Sequence, residues 1–568
     1  MTPRPARRAR ERERERLRRL VVRAVRAGDG ALHRWACGPY ESTLAVVALV
    51  VLAAAAPVFA ACAVFDWLFG GRVGASGESG TDAVPLLIAG AAIALFALGL
   101  MRLCRFERRI TERQTLTALV LGSFAAVAAF AIAHLATGAV PPTALATAFA
   151  EAAATVTGTN STTIPTVDFD QRLDLGGGML ALRAAGQWLG GAAFIVVLVR
   201  VLPHLGVGGL DSDGGVATRA ARRLAPRRAG TMGRLLLLYA ALTVLVAGGY
   251  ALAGMPLTQS GLHALTTAST GGFSTYADSL GHFDSWAIES VAIFGMAAGG
   301  VSLPLMFLAL RRRDPARFIR SYEFRLYLTL IVGATVIVAL WTGDDFGSAQ
   351  IFGFEHLRRS LFAVVSVIST TGFETASFVD LSNGSQAILM VLMVIGGMSA
   401  SMAGGFKVVR LLTLASYIGR ELRRAIYPSL AERLRLGRST ISETTISRIV
   451  GELLLAALLL IPAAILLGAS GLDIVGALSY AVSALSNVGP ALSYVDPDLP
   501  SDVPAVGSTG HLAAVNWLGH LTAGLLMLLG RMSVTAAAVA LSVAAYPLVT
   551  AIRHGRWRRR THSPMSVR

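Results

Sequence analysis

The sequence has 568 residues, of which 54% are hydrophobic and 15% charged, and its mean hydropathy is +0.60. Soluble proteins usually carry about 25% charged residues, so the composition excludes an ordinary soluble enzyme. Apolar runs of about twenty residues recur, the length needed to cross a bilayer. The net charge of +17 is concentrated in the turns between these runs, which is typical of cytosolic loops and not of a nucleic-acid interface. Three scattered cysteines predict neither a disulfide framework nor a metal cluster.

Residues 1–40 form a predicted cytosolic basic arm. Arginine and glutamate alternate between Arg7 and Arg16, which supports a solvated helix through opposite charges three residues apart. Two interpretations stay open. The arm lies on the anionic membrane surface, or it is a solvated segment that only fixes the topology. No removable signal peptide is expected, because the charged arm is too long for one.

Residues 41–113 contain a predicted pair of spans, at about Leu44–Phe65 and Val84–Met101. Several arginines between Arg102 and Arg113 follow the second span. Since positive residues accumulate on the cytosolic side, this segment marks the inner face of the membrane.

Four repeats follow, each with a span, a short apolar segment, a Gly-centred stretch and a second span. The repeats cover residues 114–204, 205–313, 314–412 and 447–550, with a cytosolic basic linker at 413–446 and a basic tail at 551–568. The predicted spans are Thr115–Ala136, Arg183–Val201, Leu235–Ala253, Trp286–Leu310, Leu326–Trp341, Gln386–Leu412, Ile449–Gly468 and Leu512–Val549. The short segments are Pro142–Ala154, Thr258–Ala268, Phe354–Ile368 and Asp473–Leu485. The sequence therefore predicts an all-α polytopic membrane protein with ten spans and both termini cytosolic.

The Gly-centred stretches are the candidate functional site. Matching Gly158, Gly272, Gly372 and Gly489 gives spacings of 114, 100 and 117 residues. The short segments cannot cross a bilayer, so they enter and return from outside, and their non-helical ends must line a protein-enclosed cavity. Glycine permits the backbone angles that turn carbonyls towards one axis. A ring of carbonyls replaces the hydration shell of a monovalent cation. No carboxylate lies within the stretches, and Glu374, just beyond the third, is placed to attract cations at the mouth.

These repeats resemble the Trk/Ktr/HKT superfamily of potassium transporters, and most of all its bacterial TrkH-type members. The resemblance rests on Ser-Thr-Gly-Gly-Phe-Ser-Thr at 269–275, Ser-Thr-Thr-Gly-Phe at 369–373 and Asn-Val-Gly-Pro at 487–490. It implies a potassium filter with these members: Val156, Thr157, Gly158, Thr159, Thr270, Gly271, Gly272, Phe273, Thr370, Thr371, Gly372, Phe373, Asn487, Val488, Gly489 and Pro490. The first stretch reads Thr-Val-Thr-Gly-Thr in place of the usual Thr-Thr-Thr-Gly-Ala. In the family, glycine in this first stretch goes with potassium preference, and serine with sodium in plant relatives.

The resemblance also implies a gate and partners. In the family, a Gly-rich interruption of the second span of repeat three is a flexible loop beneath the filter. Here the gate residues would be Gly396, Gly397, Gly404, Gly405, Lys407 and Arg531. The alternatives are a small-residue packing face for the loop and a tie between helices for Arg531, with Glu452 as one possible partner. The family implies a homodimer in the cytoplasmic membrane with a cytosolic ring of nucleotide-binding regulatory subunits. Arg420–Arg438 and the N-terminal arm are candidate docking surfaces. Potassium is the expected cargo, and no organic cofactor is expected.

The sequence leaves three alternative functions to compare with potassium transport. The nearest is a sodium-permeable or weakly selective member of the same superfamily. A secondary transporter of an organic solute would also use broken helices, but the spans show no paired carboxylates. An intramembrane enzyme using Ser260 and His263 lacks a nucleophile motif and an orienting acid.

Overall fold

The computed structural model describes residues 41–69, 72–73, 79–103, 112–164, 175–200, 228–341, 354–378, 381–429, 434–436, 439–492, 512 and 515–532. The N-terminal arm, the C-terminal tail and the second half of the last predicted span lie outside these residues.

The predicted N-terminal pair consists of two long helices, α1 (Glu41–Phe69) and α2 (Ala83–Leu103), joined through a small hairpin of β1 (Arg72–Val73) and β2 (Ser79–Gly80). The buried Asp66 near the end of α1 fixes the pair to the first repeat. Its carboxylate accepts the N–H groups of Asp82 and Ala83, at 2.8 and 3.1 Å, and that of Gly178, at 2.8 Å. One acidic side chain therefore satisfies unpaired donors at the starts of two helices.

The four repeats have the predicted order of long and short helices. Repeat one contains α3 (Glu112–Ala136), α4 (Leu145–Thr157) and α5 (Gly177–Arg200). Repeat two contains α6 (Arg228–Leu252), α7 (Leu257–Ala268), a 3₁₀ turn (Ser279–Phe283), α8 (Trp286–Gly299) and α9 (Leu303–Arg312). After the short α10 (Ala316–Arg320), repeat three contains α11 (Tyr322–Trp341), α12 (Phe354–Ile368), α13 (Asn383–Ile395) and α14 (Val408–Ile426). After the β3–β4 hairpin (Arg435–Leu436, Ser439–Thr440), repeat four contains α15 (Glu443–Ala469), α16 (Ile474–Ser486) and α17 (Trp517–Met532).

The short helices α4, α7, α12 and α16 have 13, 12, 15 and 13 residues. At 1.5 Å per residue they are about 18–23 Å long, too short for a hydrocarbon core of about 30 Å. Most of their side chains are buried, because longer helices surround them. Asp473 starts α16 as an N-cap and accepts the N–H groups of Val475 and Gly476, both at 3.1 Å.

Two long predicted spans are interrupted. The predicted span Trp286–Leu310 is sharply bent, because α8 and α9 meet at an angle of 101° around Gly300–Ser302, and its course as one span stays a prediction. The predicted break in Gln386–Leu412 is confirmed, since α13 ends at Ile395 and α14 begins at Val408. Both breaks lie beside the ends of the short helices, where the chain is enclosed by protein.

The core is divided between two hydrophobic clusters. One joins the N-terminal pair to repeats one and four, and the other belongs mainly to repeats two and three. The outward surface is also apolar, with Phe96 on α2 exposed by 75% and Leu237 on α6 by 70%, as expected of helices that face lipid. Among the described helices, six are long and apolar enough to cross a membrane, or seven if α8 and α9 count as one span. The protein is a helical polytopic membrane protein, and the figure of ten spans stays a prediction.

A buried ion pair joins α14 to α15. Arg410 and Glu452 lie 2.8 Å apart with side-chain exposures of 8% and 9%. Glu452, weighed above as a partner of Arg531, thus pairs with Arg410. Removing one member of a buried pair leaves the other charge without its counter-ion, which usually costs about 3–5 kcal/mol.

We therefore predict that Arg410→Met lowers the thermal unfolding temperature of the detergent-solubilised protein by several degrees. The double variant Arg410→Met/Glu452→Leu should recover much of the loss, because no unpaired charge is left buried. Arg311→Met is the matched control, since Arg311 is exposed at the end of α9. Equal effects of Arg410→Met and Arg311→Met would contradict the prediction.

Candidate functional site

The four short helices end in turns of the same construction. The N–H groups of Thr159, Gly271, Thr371 and Val488 each donate to the carbonyl five residues earlier, at 2.8–3.0 Å. The residue before each of these has a left-handed backbone, with φ of 67° at Gly158, 53° at Thr270, 57° at Thr370 and 58° at Asn487. Each turn therefore ends its helix with a left-handed residue of the kind that closes many helices. We call the resulting three-residue stretches the ring segments: residues 158–160, 270–272, 370–372 and 487–489.

This construction shifts the first segment by two residues relative to the matching made from the sequence. Gly158 corresponds to Thr270, Thr370 and Asn487, and Asn160 corresponds to Gly272, Gly372 and Gly489. Gly158 acts as the helix-ending residue, a position that favours glycine. Asn160 does not take the left-handed φ of the three glycines, which is 80°, 80° and 116°. The structure therefore places an asparagine where the other three repeats have glycine.

The ring segments contact one another in cyclic order. A methyl group on Gly272 would overlap the carbonyl oxygen of Thr371, and one on Gly372 would lie 2.6 Å from that of Val488. A methyl group on Gly489 would overlap the carbonyl of Asn160, and one on Gly158 would lie 3.8 Å from the Cα of Gly271. Segments one to four thus close a ring in which each neighbour's backbone fills the space of a missing side chain.

The remaining predicted filter residues lie on either side of this ring. Val156 and Thr157 belong to the last turn of α4, and the Thr157 hydroxyl lies 2.7 Å from the carbonyl of Ala153, to which it donates. Phe273 and Phe373 follow their segments and are buried, and Pro490 packs against Gly372.

Two buried amide side chains hold the ring together. Gln187 on α5 donates to the carbonyls of Gly271 and Thr159, at 2.9 and 3.3 Å, and accepts the N–H of Phe273 at 3.3 Å. It therefore bridges segments one and two. Asn487 donates to the hydroxyl of Thr159 at 3.1 Å and to the carbonyl of Met527 at 2.8 Å, which links segment four to segment one and to α17.

A buried charge network supports segment one and the residues after it. Glu151 on α4 pairs with Arg183 on α5 at 3.2 Å, and both side chains are almost fully buried. Glu151 also accepts hydrogen bonds from the hydroxyls of Thr162 and Thr163, at 2.9 and 2.8 Å. The guanidinium of Arg183 lies 3.9 Å from the ring centre of Phe273, within cation–π distance. The network thus connects repeat one to the residue that follows the second ring segment.

The small-residue loop (residues 396–407) lies against the ring segments and against the break between α8 and α9. The N–H of Gly404 donates to the hydroxyl of Thr370 at 2.6 Å, and that of Gly405 donates to the carbonyl of Ser486 at 3.1 Å. On its other side, the N–H groups of Met398 and Met402 donate to the carbonyls of Gly300 and Gly299. The loop is therefore bonded directly to the ends of two short helices.

Two cations donate hydrogen bonds to the backbone of the small-residue loop, Arg531 from another helix and Lys407 from the end of the loop itself. Arg531 on α17 donates to the carbonyl of Met402 at 3.0 Å, and Lys407 donates to that of Ala403. Both also lie over the ring of Phe194 on α5, at 4.7 and 6.0 Å from its centre. On the opposite side the buried Glu323 accepts the N–H of Ser399 at 2.5 Å. Arg531 thus contacts the loop and Phe194, and not Glu452.

The chemistry of the ring is that of neutral oxygen donors. Glu374, expected at the mouth, is buried with 4% exposure, and its backbone N–H donates to Ser279. Within the described ranges, no cluster of His, Cys, Asp and Glu has the arrangement of a metal site. Carbonyl and hydroxyl oxygens without a carboxylate suit a monovalent cation better than a divalent one.

A family model for TrkH, a cation transport protein, matches residues 89–546. The chain belongs to the TrkH family. It is 33% identical over 366 residues to the Trk system potassium uptake protein TrkH of Salmonella typhimurium. This alignment covers 63% of this chain and 73% of that protein. It is 33% identical over 333 residues to the protein of the same name from Halomonas elongata, covering 57% and 67%. The crystal structure of the potassium transporter TrkH from Vibrio parahaemolyticus superposes with a TM-score of 0.76 at 26% identity, over 89% of this chain and 98% of that one.

The enzyme alternative has no geometric support in this TrkH-family chain. Ser260 donates to the carbonyl of Met255 at 3.0 Å. His263 contacts the carbonyl of Gln259 at 3.0 Å and the hydroxyl of Ser274 at 3.1 Å. The two side chains are thus engaged separately with structural partners.

Sequence reasoning missed the polar residues in and behind the ring, which are Asn160, Gln187, Glu151 and Arg183, and it missed Phe194, which contacts the two cations at the loop. Only Asn160 left a usable trace, because a glycine directly after an apolar helix is a common helix-ending residue. That rule would have placed the ring position two residues later. The others act from neighbouring helices, and their pairing depends on packing that the sequence does not display.

We predict that Gly272→Ala abolishes ion uptake and destabilises the protein by at least about 2 kcal/mol, because the methyl group overlaps Thr371 and φ is left-handed. The measurement is cation uptake together with thermal unfolding. Gly261→Ala is the matched control within α7, since no heavy atom lies within 4 Å of its added methyl group. Retained uptake in Gly272→Ala would contradict the assigned position.

Proposed function

We propose that this chain is the ion-conducting subunit of a potassium uptake system. Potassium is the proposed cargo because the similar proteins of Salmonella typhimurium and Halomonas elongata carry the name potassium uptake protein. Cation entry would be driven by the membrane potential, which supplies about 2.3 kcal/mol per charge per 100 mV. The chain would act in the cytoplasmic membrane, with both termini in the cytosol.

The observation that carries this proposal is the closed ring of four segments at the ends of α4, α7, α12 and α16. Three of the segments have left-handed glycines that pack backbone against backbone. Such close packing leaves room for carbonyl groups to surround a dehydrated ion. The helix ends add oriented dipoles around the same axis.

The small-residue loop is the proposed gate. It touches the ring at Gly404 and Gly405, and its backbone changes from helix to loop at Gly396, where φ is 67°. Lys407 and Arg531 place two positive charges beside the path of a cation. Displacement of the loop from α17 would break the hydrogen bond from Arg531 to the carbonyl of Met402, and release of this bond would open the path.

The proposed assembly is a homodimer in lipid, controlled by a cytosolic ring of nucleotide-binding subunits. The basic linker offers one docking surface, but Arg420 contributes nothing to it. Its side chain is 1% exposed and donates to Glu443 at 3.1 Å, and this hydrogen bond raises the pKa of Arg420 further above its already high ordinary value. The exposed Arg423 lies on the accessible face of α14. Neither an organic cofactor bound by this chain nor nucleic acid is part of the proposal.

A second candidate function is a sodium-permeable or weakly selective transporter of the same family. The observation that favours it is Asn160, which replaces a glycine in the ring. The organic-solute alternative gains no support from the ring, whose neighbouring carboxylates at Glu151 and Glu374 are buried.

The deciding experiment is growth rescue of a bacterium that lacks potassium uptake, on millimolar potassium, with and without the cognate cytosolic subunit. We expect rescue by the wild type and none by Gly272→Ser at equal membrane expression, because any side chain at this position meets Thr371. Potassium and sodium fluxes of the purified protein in liposomes separate the two candidates. Sodium flux without potassium flux would overturn the potassium proposal.

We also predict that Phe194→Leu raises flux through the unstimulated protein by about fivefold. The leucine removes the cation–π contacts of Arg531 and Lys407, worth about 1 kcal/mol, but keeps an apolar side chain of similar volume. The measurement is tracer efflux from liposomes without the cytosolic subunit. Phe96→Leu is the control, because Phe96 is 75% exposed on α2, remote from the loop. Unchanged efflux in Phe194→Leu would rule out a role for the Phe194 side chain in closure.

A further inference from the structure

The side chain of Asn160 lies at the centre of the ring. Methyl groups built on Gly272 and Gly372 would come within 2.7 and 3.0 Å of its Cβ, and one built on Gly489 would meet its backbone. Asn160 is thus adjacent to all three glycines that share its level. Its neighbours Thr159 and Ser161 are buried, whereas Asn160 is partly exposed. Its side chain therefore faces the space that the glycines leave open.

Asn160 also occupies carbonyl groups of two other segments. Its amide nitrogen Nδ2 donates to the carbonyl of Gly372 at 2.6 Å, and its backbone N–H donates to the carbonyl of Val488 at 3.0 Å. A carbonyl that accepts a hydrogen bond offers less of its negative potential to a cation. Segments three and four are therefore weakened as ion ligands by one residue of segment one.

We infer that Asn160 is the residue that sets ion selectivity in this chain, by narrowing the ring and withdrawing the Gly372 carbonyl from the conducted ion. The inference rests on the proposed function and deepens it. With one carbonyl withdrawn, an ion at this level keeps part of its hydration shell. Discrimination between potassium and sodium depends on full replacement of that shell by carbonyls, so it is then reduced. The chain conducts potassium with a weaker preference over sodium than a ring of four glycines would give.

An amide has the right chemistry for this role. It donates to the Gly372 carbonyl through Nδ2 while its Oδ1 stays available as a neutral ligand. Alanine at the same position removes the donor but keeps a Cβ, and glycine removes both. The pair of variants therefore separates the hydrogen bond from the volume of the side chain.

The experiment uses full-length protein in liposomes, with potassium and sodium fluxes measured in parallel for wild type, Asn160→Gly and Asn160→Ala. We expect the ratio of potassium to sodium flux to rise by about tenfold in Asn160→Gly, the factor that corresponds to one hydrogen bond. A smaller rise in the same direction is expected for Asn160→Ala. Asn383→Gly is the control, because Asn383 is exposed in the first turn of α13.

Unchanged flux ratios in both Asn160 variants, with normal flux, would overturn the inference while leaving the proposed function intact. Absence of any cation flux in the wild type and all variants would instead overturn the proposed function, and the inference with it. A second measurement does not depend on conduction: stabilisation of the detergent-solubilised protein by potassium compared with sodium. Asn160→Gly should increase the preference for potassium, and equal preferences in wild type and variant would refute the role of Asn160.

Discussion

The structure depends on one constraint, which is that non-helical backbone inside a membrane must find hydrogen-bond partners within the protein. Every ring segment leaves the helix, and so does the small-residue loop beneath it. Their N–H and carbonyl groups are satisfied by each other and by a few side chains, among them Gln187 and the hydroxyl of Thr370. The loop and the ring are therefore parts of one hydrogen-bonded unit.

Buried charge follows the same constraint. Arg183 and Arg410 are each paired with a glutamate, and each pair joins two helices. Arg531 has no carboxylate partner in the described part of the chain and donates instead to the carbonyl of Met402. Within the described residues its charge thus has no counter-ion and lies beside the small-residue loop. Paired charges join helices here, whereas Arg531 joins α17 to the backbone of the loop.

Structural features that depend on length, hydropathy and repetition could be predicted from the sequence. Features that depend on the packing of helices against one another could not. The short helices and the break before Val408 follow from apolar length and small residues. The bend at Gly300–Ser302 does not, because α8 and α9 together read as one apolar run. The matching of Gly158 with the ring glycines differs from the structure by two residues, because a helix-ending glycine and a ring glycine look alike in sequence. That Glu452 pairs with Arg410 and not with Arg531 depends on which helices meet, and no local pattern carries that information.

The four repeats share a backbone construction but divide the polar residues unequally. Repeat one supplies the amides of Asn160 and Gln187 to the ring and the aromatic side chain of Phe194 to the two cations, while repeat three supplies the small-residue loop. A ring of four identical segments would present the same groups all around its axis. Here one segment carries an amide side chain and the other three carry glycine. The asymmetry thus places the asparagine of the ring in repeat one and the small-residue loop in repeat three. Because Asn160 contacts the ring and Phe194 contacts the cations of the loop, repeat one makes separate contacts to each, and a substitution at one of these positions leaves the contacts of the other in place.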